Sequence, residues 1–180
     1  MLVNVFYFSY LQHYKKGRAL NIIELKNMEN KIQKIEDLLN QKNIGYKIAN
    51  YPPGVKNAAE AAELIGLPRE KIIKSLVFKS KGEFMLLLLQ SPKKVNVPKV
   101  NEELSLKISM ASPEEIFEVT GYKIGAVTFF DLKTDLPVYI DAPVMECDKI
   151  SVASGIRGID IILDPKDLKT VAEGKILDLT

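Results

Sequence analysis

One cysteine and one histidine in 180 residues exclude several common reaction chemistries before any motif is considered. Cys147 has no second cysteine, so neither a disulfide framework nor a CxxC metal site can form, and between Glu146 and Asp148 it reads as incidental rather than nucleophilic. His13 lies near the N-terminus, outside residues 28–180, the span that reads as the domain. A Ser-His-Asp triad, a Cys-His pair and a histidine-ligated zinc each lack a necessary residue there. No metal and no cofactor are expected, and any reaction falls to a lysine, carboxylates, backbone amides or groups on the substrate.

An excess of charge of either sign is also missing. The chain carries 25 Lys+Arg against 23 Asp+Glu, a formal net of +2. Binding of nucleic acid by bulk charge is thereby excluded, and an RNA partner would be held by a local patch or through its end. The apolar run at residues 2–11 (LVNVFYFSYL) is far short of the roughly 20 residues of a membrane span. Its cations, Lys15, Lys16 and Arg18, follow it, whereas a signal peptide places them before. Residues 1–27 are read as an N-terminal extension: an extra strand, a docking segment, or residues upstream of the natural start. A cytoplasmic protein with no membrane partner is expected.

What is present suits one core, since 47% of the residues are apolar. Ile32, Ile35, Leu38 and Leu39 predict a helix over 28–41, stopped by Asn43 and Gly45. A strand at 46–50 leads into the rigid turn Tyr51-Pro52-Pro53-Gly54. Asn57 caps a helix over 58–65 closed by Gly66, and Pro68 opens a short helix over 69–73. Strands at 75–79 and 84–90 flank a glycine-containing turn, and the second (FMLLLL) is apolar enough to be central and buried on both faces. Short helices are expected at 100–104 and after Ser112-Pro113-Glu114-Glu115, the latter ending at Gly121, with a strand at 109–111 between them. Strands at 125–128, 138–140, 149–152 and 159–163 follow, with Gly155 and Gly158 bracketing a tight turn. A closing helix runs from Asp164-Pro165 to about residue 172. Hairpin-length links dominate, so the fold class is α/β of the α+β type: a mixed, mostly antiparallel sheet surrounded by short helices.

Four segments, in order, carry a resemblance to a known family: AAEAAELIGLPREKIIKSLVFK (58–79), VTGYKIGAVTFF (119–130), LPVYIDAPVMECDKISV (136–152) and ASGIRGIDIILDPKDL (153–168). Residues 28–180 resemble the YbaK/ProX family of free-standing tRNA-editing proteins and prolyl-tRNA synthetase editing insertions. The resemblance implies a hydrolase that deacylates mischarged aminoacyl-tRNA, with the tRNA 3′ end and an aminoacyl-tRNA synthetase as partners. Lys74, in Lys74-Ser75-Leu76, occupies the place of the family's required lysine, where an ammonium stabilises charge developing on an ester carbonyl or a neighbouring phosphate. The residue-level alternative is a lysine at a helix C-terminus, favourable to the dipole and otherwise idle. The loop resemblance implies Gly121, Gly125, Ala126 and Thr128 as substrate contacts. Gly121 also reads as a helix C-cap, and Gly125 as a bulge.

The SGIRG turn adds Ser154 and Gly155, and Asp160 matches an acidic family position, while Arg157 and Asp141 also read as turn-holding residues. Lys93, Lys94 and Lys99 form the basic cluster available for RNA phosphates. The sequence departs from the family in two places. Ala126, Phe129 and Asp131 replace a glycine, a proline and a second glycine, and Asn50-Tyr51 stands where many members carry an acidic residue and a histidine. Two further readings stay open: a non-catalytic module or regulator of the same fold that binds tRNA or a synthetase, and a ligand-binding domain that uses no RNA.

Overall fold

The computed structural model describes residues 22–52, 54, 55 and 57–180. The apolar run at 2–11 and His13 lie outside these. Helix α1 spans Ile22–Gln41, so residues 22–27, expected to belong to the extension, are helical. Those six residues (IIELKN) contain neither Gly nor Pro, and nothing breaks the helix ahead of Met28. Strand β1 (Tyr46–Asn50) and helix α2 (Ala58–Ile65) have the expected bounds, and the Asn57 side chain accepts from the Ala59 and Glu60 amides as the N-cap.

The first difference of consequence comes at residue 72. Only one 3-10 turn, Arg69–Lys71, forms where a helix over 69–73 is expected, and strand β2 begins at Ile72 and runs to Ser80. The β-branched pair Ile72-Ile73 is drawn into the sheet opposite Ser151 and Val152. Lys74 therefore sits on a strand, and no helix dipole exists for it to complement.

Strand β3 (Glu83–Gln90) follows across a two-residue turn in which Lys81 and Gly82 both have positive φ. Its apolar run faces two cores at once. Leu86 and Leu88 pack with Ile35 and Leu39 of α1, while Met85 and Leu87 pack on the other face with Phe78, Val100 and Leu179. Helix α3 (Val97–Leu104), strand β4 (Ser109–Met110) and helix α4 (Pro113–Thr120) come next. Helix α4 starts on a capping box between Ser112 and Glu115.

Residues 125–128, expected as a strand, are irregular. Ala126, Val127, Thr128, Phe129 and Phe130 are nonetheless buried, and Val127, Phe129 and Phe130 join the larger core. A buried plug and a buried strand share the same composition, and here the segment is buried without joining a ladder. The chain continues through β5 (Val138–Asp141), a 3-10 segment (Ala142–Glu146), β6 (Ile150–Ile156), β7 (Ile159–Leu163), α5 (Pro165–Val171) and an unanticipated β8 (Lys175–Leu177).

The sheet order is β1-β7-β6-β2-β3-β5-β8, with β4 also on β2. Antiparallel pairs join β1–β7, β6–β7, β2–β3 and β2–β4; β2–β6, β3–β5 and β5–β8 are parallel. Since β3 occupies one side of β2 along its length, β6 and β4 share the other. Strand β6 pairs there only with Ile72 and Ile73, and β4 only with Phe78 and Lys79. Between them the sheet splits, and residues 74–77 have no strand partner on that side.

Candidate active site

A cleft of about 260 Å³ opens at this split. Strand β2 supplies Lys74 and Ser75, the β6–β7 hairpin supplies Asp160 and Arg157, Tyr51 closes the end of β1, and α2 and Gly125 complete the walls. Of the residues singled out in the sequence, the cleft brings together Lys74, Gly125 and Asp160.

The Lys74 ammonium donates to the Ser91 carbonyl at 2.9 Å and to the Lys93 carbonyl. An ammonium has three N–H groups, so one donor is left for a ligand. Burial depresses its pKa, and the nearby charges of Lys94 and Arg69 lower it further. Lys93 and Lys94 are exposed on the same loop. Lys99, on α3, pairs with Asp178 at 2.5 Å and donates to the Thr180 carbonyl, so its charge is already matched.

Asp160 has a different environment. It is 5% exposed, and its carboxylate accepts from the Tyr51 hydroxyl and from Ser151 Oγ, each at 2.9 Å. Burial raises its pKa to about 6, against the two hydrogen bonds that favour the charged form. Tyr51 is held up in turn, by burial and by the adjacent carboxylate. The native state binds the Asp160 proton more tightly than the unfolded chain does, so stability falls as pH rises from the ordinary 3.8 through about 6 and is level above. Asp160→Asn is accordingly expected to raise the melting temperature at pH 7.5, by at most about 3 kcal/mol of stability, and to flatten this dependence. Thermal denaturation from pH 4 to 8 measures both.

The other residues of the loop and turn hold the walls in place. Gly121, at φ +76°, ends α4 by donating to the Phe117 carbonyl at 2.9 Å. Thr128 is 1% exposed, and its Oγ1 accepts weakly from the Phe130 amide at 3.4 Å; Ala126 is 9% exposed. Ser154 and Gly155 fall where the β6–β7 register shifts between Ala153 and Ile156. Ser154 Oγ donates to the Ile159 carbonyl at 2.7 Å and accepts from the Ile156 amide at 3.2 Å, closing the bulge. Arg157 holds the two pieces together by donating to the Ile124 carbonyl at 3.1 Å, beside Gly125. Asp141 lies away from the cleft and fixes the C-terminus, accepting from the Leu179 amide at 2.8 Å.

Tyr122 joins the loop to its surroundings. Its hydroxyl donates to the Phe130 carbonyl at 2.7 Å, and its ring lies beneath the Lys31 ammonium of α1 at 4.1 Å. Asp131, at φ +47° in the place of a family glycine, pairs with Lys34 of α1 at 3.1 Å. Tyr51 is a polar cleft residue that the sequence reading did not select. Its signal was the departure at Asn50-Tyr51, where a histidine was missing and a tyrosine stood instead. Cys147 accepts a hydrogen bond from Gln90 at 3.6 Å and does not line the cleft. Among the described residues no group of acidic, histidine and cysteine side chains is placed to hold a metal, and no helix is long and apolar enough to cross a membrane.

A split mixed sheet whose gap exposes a strand lysine beside a glycine loop defines a class. Residues 52–171 match the aminoacyl-tRNA editing domain model, and the chain belongs to that family. Its relatives include the uncharacterised protein YwhH of Bacillus subtilis, 34% identical over 118 residues, which are 65% of this chain and 75% of that protein. The proline–tRNA ligase of Acidithiobacillus ferrooxidans strain ATCC 53993 is 31% identical over 90 residues, 49% of this chain but only 16% of the ligase. Among solved structures, one described provisionally as a trans-editing enzyme for prolyl tRNA synthetase superposes with a TM-score of 0.76 at 25% identity, over 90% of this chain and 99% of the other.

Proposed function

We propose that the protein is a trans-editing hydrolase that deacylates mischarged aminoacyl-tRNA in the cytoplasm, acting on the tRNA 3′ end and working alongside an aminoacyl-tRNA synthetase. The observation that carries this reading is the meeting of the Lys74 ammonium and the Gly125 loop on one cleft in an editing-family fold. Water adds to the ester carbonyl, and the carbon–oxygen bond to the ribose breaks. The proton released by the water passes to the ribose oxygen, leaving free amino acid and tRNA. Lys74 stabilises the carbonyl oxygen as it becomes negative or fixes the adjoining phosphate, and backbone amides about Gly125 provide further donors. No protein nucleophile is required.

The test is hydrolysis of a panel of correctly and incorrectly charged tRNAs, including species charged on tRNA for proline in view of the ligase relatives. Release of amino acid from some mischarged species, with the matched species spared, is the expected result. Binding of tRNA with no hydrolysis of any species would assign the chain instead to the non-catalytic modules of this fold.

A further inference from the structure

We propose that Asp160 seats the α-ammonium group of the substrate, with Tyr51 as the residue that positions its carboxylate. The inference rests on the deacylase reading and narrows its substrate to aminoacyl esters with a free amino group, excluding N-acylated and peptidyl esters.

The argument begins with an imbalance of charge. A buried carboxylate is ordinarily matched by a cation, because desolvating an unpaired charge is costly. Asp160 has two hydroxyl donors and, among the described residues, no lysine or arginine in an ion pair with it. Arg157, on the same hairpin, directs Nη2 to the Ile124 carbonyl. Each Asp160 oxygen accepts one neutral hydrogen bond and retains acceptor capacity toward an ammonium, which brings three donors and a positive charge. The carboxylate lies on the wall of the cleft, so the missing cation can arrive with a ligand.

The opposite imbalance exists on the β2 wall. Lys74 is bound by carbonyls only, and the charges of Lys94 and Arg69 are close enough to disfavour its own. Asp160 thus has no cation in an ion pair with it among the described residues, although Arg157 shares its wall, and Lys74 is held by carbonyls without an anion. An aminoacyl-tRNA end carries the complementary pair, an ammonium on the acyl part and phosphates on the nucleotide part. Bound with the acyl group toward Asp160 and the nucleotide toward Lys74, it gives each of these two groups an opposite charge and lays the ester between them.

Tyr51 makes this a property of this chain. Its amide donates to the Gly158 carbonyl at 2.9 Å, extending the β1–β7 pairing by one residue and placing the phenol over Asp160. Its hydroxyl fixes one carboxylate oxygen while Ser151 fixes the other, so the carboxylate cannot rotate away from the cleft.

The experiment uses the full chain and two amide analogues that cannot be hydrolysed: 3′-deoxy-3′-(glycylamino)adenosine 5′-monophosphate, which keeps a phosphate for Lys74, and its N-acetyl derivative. Glycine is chosen so that side-chain size plays no part. Calorimetry is expected to show the free amine bound about 10- to 100-fold more tightly than the acetylated form, the worth of a charge-assisted hydrogen bond. Asp160→Asn should abolish that preference. Tyr51→Phe should reduce it, and Lys74→Ala should weaken both ligands alike with the preference kept. Equal binding of the two analogues by the wild type, binding of neither, or a preference that survives Asp160→Asn overturns the proposal. Hydrolysis of glycyl-tRNA and N-acetylglycyl-tRNA at equal rates would overturn it while leaving the deacylase reading intact. A clear preference for the amine without hydrolysis of any charged tRNA would do the reverse.

Discussion

Lys74→Ala is expected to lower the rate of aminoacyl-tRNA hydrolysis by about 100- to 1,000-fold, the range found when one donor to a developing oxyanion is removed. The lysine sits at the first position of β2 beyond its pairing with β6, where the sheet parts and a side chain can face the cleft. Two carbonyls hold its nitrogen, from Ser91 and Lys93, so the remaining N–H has a fixed direction. Such a group need not reorganise as the ester carbonyl gains charge, which is the source of its leverage. Removing the side chain leaves those carbonyls without their donor, and the loop at 91–96 should lose about 1 kcal/mol of local support. That loss is too small to unfold a domain, so circular dichroism should be unchanged while single-turnover deacylation collapses. The charged form assists the reaction and is lost as pH rises through a pKa held below the ordinary 10.5. The enzymatic rate, after subtraction of the spontaneous one, should therefore decline on the alkaline side in the wild type and not in the variant. Wild-type rates in Lys74→Ala would remove the lysine from the mechanism.

Gly155→Ala is expected to be the most damaging small substitution in the hairpin. The residue has φ +87°, and an added Cβ would lie 2.3 Å from Tyr122 Cε1 and 2.9 Å from Cζ. The ring has little room to yield. It is 4% exposed, its hydroxyl is held by the Phe130 carbonyl, and Lys31 lies over its face. Left-handed strain contributes about 1 kcal/mol and overpacking about 1–3 kcal/mol more. At roughly 2–4 °C per kcal/mol for a domain of this size, the melting temperature should fall by about 10 °C. Gly82→Ala is the control. It has φ +86° with nothing within 4 Å of the added Cβ, so it should show the strain alone. Equal losses for the two variants would mean that Tyr122 moves aside freely.

Much of the fold was legible because local chemistry decided it. The run FMLLLL admits no polar face, and β3 is buried on both sides as such a run requires. The caps at Asn57 and Ser112 act through adjacent amides, and α2 and α4 begin where they indicate. What was not legible depends on distant partners. Residues 125–128 have strand composition but are buried without joining a ladder, and residues 72 and 73 belong to a strand because of Ser151 and Val152. The charge of Lys99 is matched by Asp178, some eighty residues along the chain. Within the candidate site, the motif located Lys74, Gly125 and Asp160. The contact between Asp160 and Tyr51 spans 109 positions, and no local pattern announces it.

The split in the sheet has a consequence for how such a protein can diversify. The β2–β3 hairpin that carries Lys74 and the β6–β7 hairpin that carries Asp160 are laddered to each other through two residue pairs. Each hairpin is zipped within itself over a longer register. Changes on the β6–β7 side that reshape what is recognised therefore leave the lysine's own hairpin in register. On the proposed roles, the group that would choose and the group that would react stand on separate hairpins, so a lineage could retune the first without rebuilding the second.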